Sequence, residues 1–144
     1  MDLERLRHGP PHPLRAILMA FPIALFSLAL ATDVAYLRTE QLQWTNFSAW
    51  AIVGALLGGA GVFVWSLVEV VRSGFRPALN GAWLHHVLVL VFCLLGLVNS
   101  FQHSRDGWSS VGTTGLVLSI LSLLAALGAA WILHSRGGAA EASR

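Results

Sequence analysis

The chain has little charge, no lysine and a single cysteine. Asp, Glu, Lys and Arg make up only 11% of its 144 residues, against about 25% in a soluble globular domain. That deficit excludes a disordered chain and a nucleic-acid binder built on basic patches, and it argues against most soluble enzymes. The lone Cys93 excludes an intrachain disulfide framework and a cysteine-based zinc site. All nine basic residues are arginine, and the formal net charge of +2 is too small to call for a polyanionic partner. No nucleophile, acid–base pair or nucleotide loop is visible, which argues against an enzyme.

Apolar residues supply 56% of the chain, and the few charges cut it into spans. No formal charge occurs between Arg15 and Asp33, from Gln41 to Val68, from Pro77 to Ser104, or from Gly107 to Ser135. The last three stretches exceed the roughly 20 residues that carry a helix across about 30 Å of hydrocarbon. The first holds 17 residues, with Arg15 and Asp33 placed to sit near the interfaces. These runs lack the period-two alternation of strands, and lipid tolerates no unsatisfied backbone, so they read as helices. The expected fold is all-α: an integral membrane four-helix bundle with helices near 14–37, 47–71, 82–103 and 110–134. Residues 38–46, 72–81 and 104–109 become short polar connectors, and residues 1–13 and 136–144 become tails around one domain, 14–135. No internal repeat is evident. An alternative reading makes the first apolar run, after Arg5, Arg7 and Arg15, a secretory signal cleaved after Ala29-Leu30-Ala31.

Aromatic and arginine positions orient the bundle. Trp44, Trp50, Trp108 and Tyr36 fall toward one face, and Trp83 and Trp131 toward the other with Trp65 nearer it, as interfacial belts would. Arg5, Arg7, Arg15, Arg72, Arg76, Arg136 and Arg144 lie on the side of both termini, and only Arg38 and Arg105 on the other. Seven against two predicts cytoplasmic termini, N-in/C-in, in a bacterial inner membrane.

With that topology, polar residues distant in sequence share a depth. One layer, at the end carrying the termini, holds His12, Glu69, His85, His86 and His134; the other holds Asp33, Asn99, His103 and Asp106. Ionisable groups at membrane depth are costly, so they pair, face the bundle interior or serve function. On the third helix His85, Val89, Phe92, Gly96, Asn99 and His103 recur at 4,3,4,3,4 spacing and form one stripe. Fourteen residues separate His85 from Asn99, about 21 Å of rise, so one helix face touches both layers.

Imidazoles on different helices at one depth can ligate haem b or a divalent metal. His85 and His134 are the natural pair, His12 and His86 the alternatives, and Glu69 a candidate to orient a ligating ring. The small residues Ala125, Ala126, Gly128, Ala129 and Ala130 are expected to leave room beside the fourth helix. The competing reading has these side chains half-hydrated at the headgroups, capping helix ends. In the other layer, Asp33 is expected to bond Asn99 or Arg38, with Asp33, Asn99 and His103 as a structural polar layer. Between the layers the sequence offers only Ser27, Ser119, Ser122 and glycines, too little for a proton path. Gly54 and Gly58 form a GxxxG face for close helix approach, inside the bundle or between protomers of a homo-oligomer. Pro22 is expected to kink the first helix.

Beyond these local readings stand His12-Pro13, Phe21-Pro22-Ile23-Ala24-Leu25, Thr32-Asp33, Glu69, Ala82-Trp83-Leu84-His85 and Asn99. In this order, over residues 8–134, the chain resembles the bacterial membrane family called domain of unknown function 2231. The resemblance implies a small four-helix membrane protein and supplies no activity. Two functional expectations result. One is a non-enzymatic membrane subunit or scaffold packed on partner helices. The other is an electron-transfer subunit holding haem b or a metal through the histidines.

Overall fold

The computed structural model describes residues 12–72, 82–104 and 111–141. Four helices account for nearly all of them: α1 (Pro13–Thr39), α2 (Leu42–Arg72), α3 (Ala82–His103) and α4 (Thr113–Glu141). Each contains a span long and apolar enough to cross a membrane. Arg5, Arg7, Arg76, Arg105, Asp106, Trp108 and Arg144 lie outside the described residues.

Local chemistry sets the ends of α1. His12 caps it, its Nδ1 accepting from the Leu14 backbone N–H at 3.3 Å, and Pro13 opens it where no amide donor is needed. The helix is continuous through Pro22. It stops at Glu40, whose left-handed φ of 54° turns the chain while its N–H bonds the Tyr36 carbonyl. Only Glu40 and Gln41 then separate α1 from α2. The connector expected at 38–46 is therefore mostly helix. Hydropathy marks the hydrocarbon-spanning part of a helix, whereas Gln43, Thr45 and Asn46 extend α2 into the polar zone without breaking it. By the same effect α4 continues past residue 134.

The helices run up and down in a ring. α1 packs on α2 and α4, and α3 on α4 and α2. The core contains Met19, Phe26, Ile52, Val62, Val89 and Phe92, together with Ala125, Ala126 and Ala129. Phe26 and Phe92 meet edge to face at 6.3 Å between centroids. Glycine makes that meeting possible: a Cβ on Gly96 would lie 2.7 Å from Phe26, and one on Gly59 2.8 Å from Phe92. The GxxxG face is used inside the chain, with Gly54 against Leu25 and Gly58 against Phe21 of α1. Outside, the bundle is apolar. Leu57, Phe101 and Trp131 are 73%, 67% and 78% exposed, a surface suited to lipid and unsuited to water.

Candidate functional site

The stripe on α3 faces inward as its spacing predicts. His85, Val89, Phe92, Gly96, Asn99 and His103 are all buried. At its far end the stripe enters a polar centre built by all four helices. Asp33 of α1 is wholly buried. Its Oδ1 accepts from the Ser48 hydroxyl of α2 and lies 2.9 Å from His103 Nε2 of α3. Its Oδ2 accepts from the Ser119 hydroxyl of α4 at 2.5 Å. Asn99 Nδ2 donates in turn to Ser119 at 2.8 Å.

Hydrogen-bond stoichiometry limits where the protons lie here. The carbonyl of Asn99, 2.9 Å from His103 Nδ1, can only accept, so Nδ1 carries hydrogen. Nε2 faces the Asp33 carboxyl and, at 3.2 Å, the Ser48 oxygen. With Nδ1 protonated, the 2.9 Å contact of Nε2 with Oδ1 is a hydrogen bond when one further proton lies between them. Imidazolium with carboxylate and imidazole with carboxylic acid both satisfy this count. Neither expected partner of Asp33 bonds it directly: Asn99 reaches it through Ser119, and Arg38 lies on the exposed surface. His103 takes that place because the stripe points it inward at the depth of Asp33.

At the end carrying the helix termini, the polar side chains are spread out. Arg15 Nη1 pairs with Glu69 Oε1 at 2.6 Å, and Trp65 Nε1 donates to the same oxygen at 3.1 Å. Glu69, expected to orient an imidazole, thus holds a guanidinium and an indole. His12 lies against Trp65, 5.3 Å between ring centroids. His86 Nδ1 bonds Ser66 of α2. His85 is buried, and its Nδ1–H donates to the Ala129 carbonyl of α4 at 2.8 Å. His134 is exposed and donates to Ala130 of its own helix at 2.8 Å. So His85 points into the bundle at the level of Ala129, while His134, further along α4 toward the chain terminus, does not point inward. The alanines expected to leave room are spent on close packing: Ala126 and Ala129 are fully buried in the core. Among the described residues no three His, Cys, Asp or Glu side chains are grouped to hold a metal ion.

Three participants escape a reading of the sequence, among them Ser66, the partner of His86. Ser48 is an uncharged residue near a helix start, and nothing in its neighbours marks it. Arg15 reads as an interfacial flank, although its three-residue offset from His12 places it one turn into α1.

Four apolar spans, lipid-facing outer surfaces and polar side chains turned onto one another define a small polytopic membrane protein. More narrowly, residues 11–137 match the family described as "Predicted membrane protein (DUF2231)", and the chain belongs to that family. No curated protein and no solved structure matches it significantly.

Proposed function

We propose that this protein is a non-enzymatic subunit or scaffold of the bacterial inner membrane, with both termini cytoplasmic and its tails at 1–13 and 136–144. One observation carries the reading: most of the buried polar side chains described tie the chain's own helices together. Asp33 alone binds side chains from three other helices. Such ties yield a fixed shape with apolar outer faces, which is what a packing subunit needs. Partner helices then meet outward residues such as Leu57 and Trp131, since Gly54 and Gly58 are covered by α1. Native mass spectrometry of the protein released directly from membranes tests this. A defined complex, homomeric or mixed, is the expected result, and a lone monomer under conditions that preserve known complexes refutes it.

A second reading has one observation in its favour. His85 is buried, and its Nδ1–H is held by a carbonyl, the orientation that ligating imidazoles adopt. In that reading His85 is a haem or metal ligand, with His134, His12 or His86 as the second. An absorption spectrum and metal analysis of the extracted protein, repeated for His85→Ala and His134→Ala, decide it. Bound haem or metal lost with His85 supports the reading; a wild type carrying neither rejects it.

A further inference from the structure

We infer that the Asp33–His103 pair is a one-proton lock, so that the stability of the bundle at the end away from its termini falls as pH rises above the ordinary histidine range. The centre joins four helices through a carboxylate and an imidazole that together hold a single proton. Remove it, and the carboxylate faces the bare lone pair of Nε2 at 2.9 Å, with no solvent at either group. Add a second, and the carboxyl must donate into a set where Ser48 and Ser119 already donate to it. Either change opposes the packing of α1 on α3.

Among the described residues few other groups share the region; Arg105 and Asp106 lie outside them. α2 brings Ser48 and Thr45, α4 brings Ser119 and Ser122, and α3 brings Asn99; none of these titrates in the accessible range. On α1, Tyr36 lies one turn from Asp33 and is half-buried, while Arg38 and Glu40 are exposed. Toward the bundle middle lie Phe26, Ile52 and Phe92, so the centre is separated from the histidines at the other end by apolar packing.

The direction follows from proton counting. In the unfolded chain the aspartate loses its proton near pH ~4 and the histidine near ~6.5. Above about 6.5 the unfolded pair therefore holds none and the folded pair one, so stability falls as pH rises. Just below about 6.5 the unfolded pair also holds one proton, and the contribution is level. Asp33→Asn reverses part of the pattern. The amide introduced there can donate to a neutral His103, so the folded variant gains no proton from the pair. Its stability should be level above about 6.5 and fall below it, where the unfolded histidine charges.

The test is reversible unfolding of the full chain in mixed dodecylmaltoside and dodecylsulfate micelles from pH 4 to 9, for wild type, Asp33→Asn and Tyr36→Phe. From the wild-type pair, the unfolding constant should rise up to tenfold per pH unit above about 6.5. The wild type minus Asp33→Asn difference should show that limb, and Tyr36→Phe should retain it. Parallel profiles for wild type and Asp33→Asn overturn the inference. Should Asp33→Asn fail to fold, nitrogen-15 spectra of the histidine rings and carbon-13 spectra of the aspartate carboxyls in the wild type count the proton directly. A shared proton at neutral pH supports the lock. A neutral His103 beside an ionised Asp33 overturns it.

Discussion

Replacing Gly58 by alanine should weaken the bundle far more than the same change at Gly61, although both glycines lie on α2 and face α1. A Cβ on Gly58 would sit 2.3 Å from Phe21 Cβ and 3.0 Å from its Cγ, with the Leu18 carbonyl oxygen at 3.5 Å. Carbon atoms in ordinary contact keep about 3.5–4.0 Å, so the shortfall is more than ~1 Å. Phe21 Cβ is bonded to the α1 backbone, and no rotamer moves it away. The two helices must separate, at the about 1–3 kcal/mol typical of overpacking. At Gly61 the added carbon meets only the tip of Leu18, at 3.2 and 3.3 Å from its methyl groups, and a small rotation relieves it. Both substitutions gain the same helix propensity, up to about 1 kcal/mol. Their difference therefore isolates the clash. Unfolding of Gly58→Ala and Gly61→Ala in mixed micelles measures it, with particle size recorded in parallel. Gly58→Ala should be about 1–3 kcal/mol less stable than Gly61→Ala, with no change in oligomeric state. Equal stabilities would refute the assignment of this face to α1–α2 packing, and a change only in particle size would assign it to contact between protomers.

Three other outcomes are expected. Ser119→Ala strands Asp33 Oδ2 and Asn99 Nδ2 and should cost about 1–3 kcal/mol, while Ser122→Ala, whose buried hydroxyl has no hydrogen-bond partner among the described residues, should cost little; denaturant titration of both compares them. Glu69→Ala should destabilise by about 1 kcal/mol, a figure kept low because Glu69 is partly exposed, and the double change Arg15→Leu with Glu69→Leu should recover most of that loss. Reporter fusions after residues 40 and 106 should read periplasmic, and those after 75 and 144 cytoplasmic; the reverse pattern defeats the arginine-based orientation.

The sequence made depth legible and left azimuth largely hidden. Charge-free runs located all four spans, and the 4,3,4,3,4 spacing on α3 placed His85, Asn99 and His103 on the inward face. Hydropathy could not extend α2 back to Leu42, because Gln43 and Asn46 are compatible with helix but not with hydrocarbon. Nor could it pair side chains across helices. Asp33 had Asn99 and Arg38 as candidates, since both lie at a similar depth. Which residue meets it depends on how each helix is rotated, and that rotation is set by packing such as Phe26 on Gly96 and Phe21 on Gly58. His85 and His134 illustrate the same gap: expected at one depth, they differ in facing, and His85 meets α4 at Ala129 rather than at His134.

The two-residue turn at Glu40 and Gln41 works as an angular index for the first hairpin. Successive residues on a helix are about 100° apart, so one residue added to this turn would present a different side of α2 to α1 unless the turn itself absorbed the change. Ser48 would swing away from Asp33 and Gly58 away from Phe21 together, because both contacts depend on the same rotation. A left-handed residue without a glycine's freedom, here Glu40, keeps the turn at that length at some cost in backbone energy. Polar centre and glycine face, some ten residues apart along α2, are thus not independent inventions of the chain but two readings of a single setting.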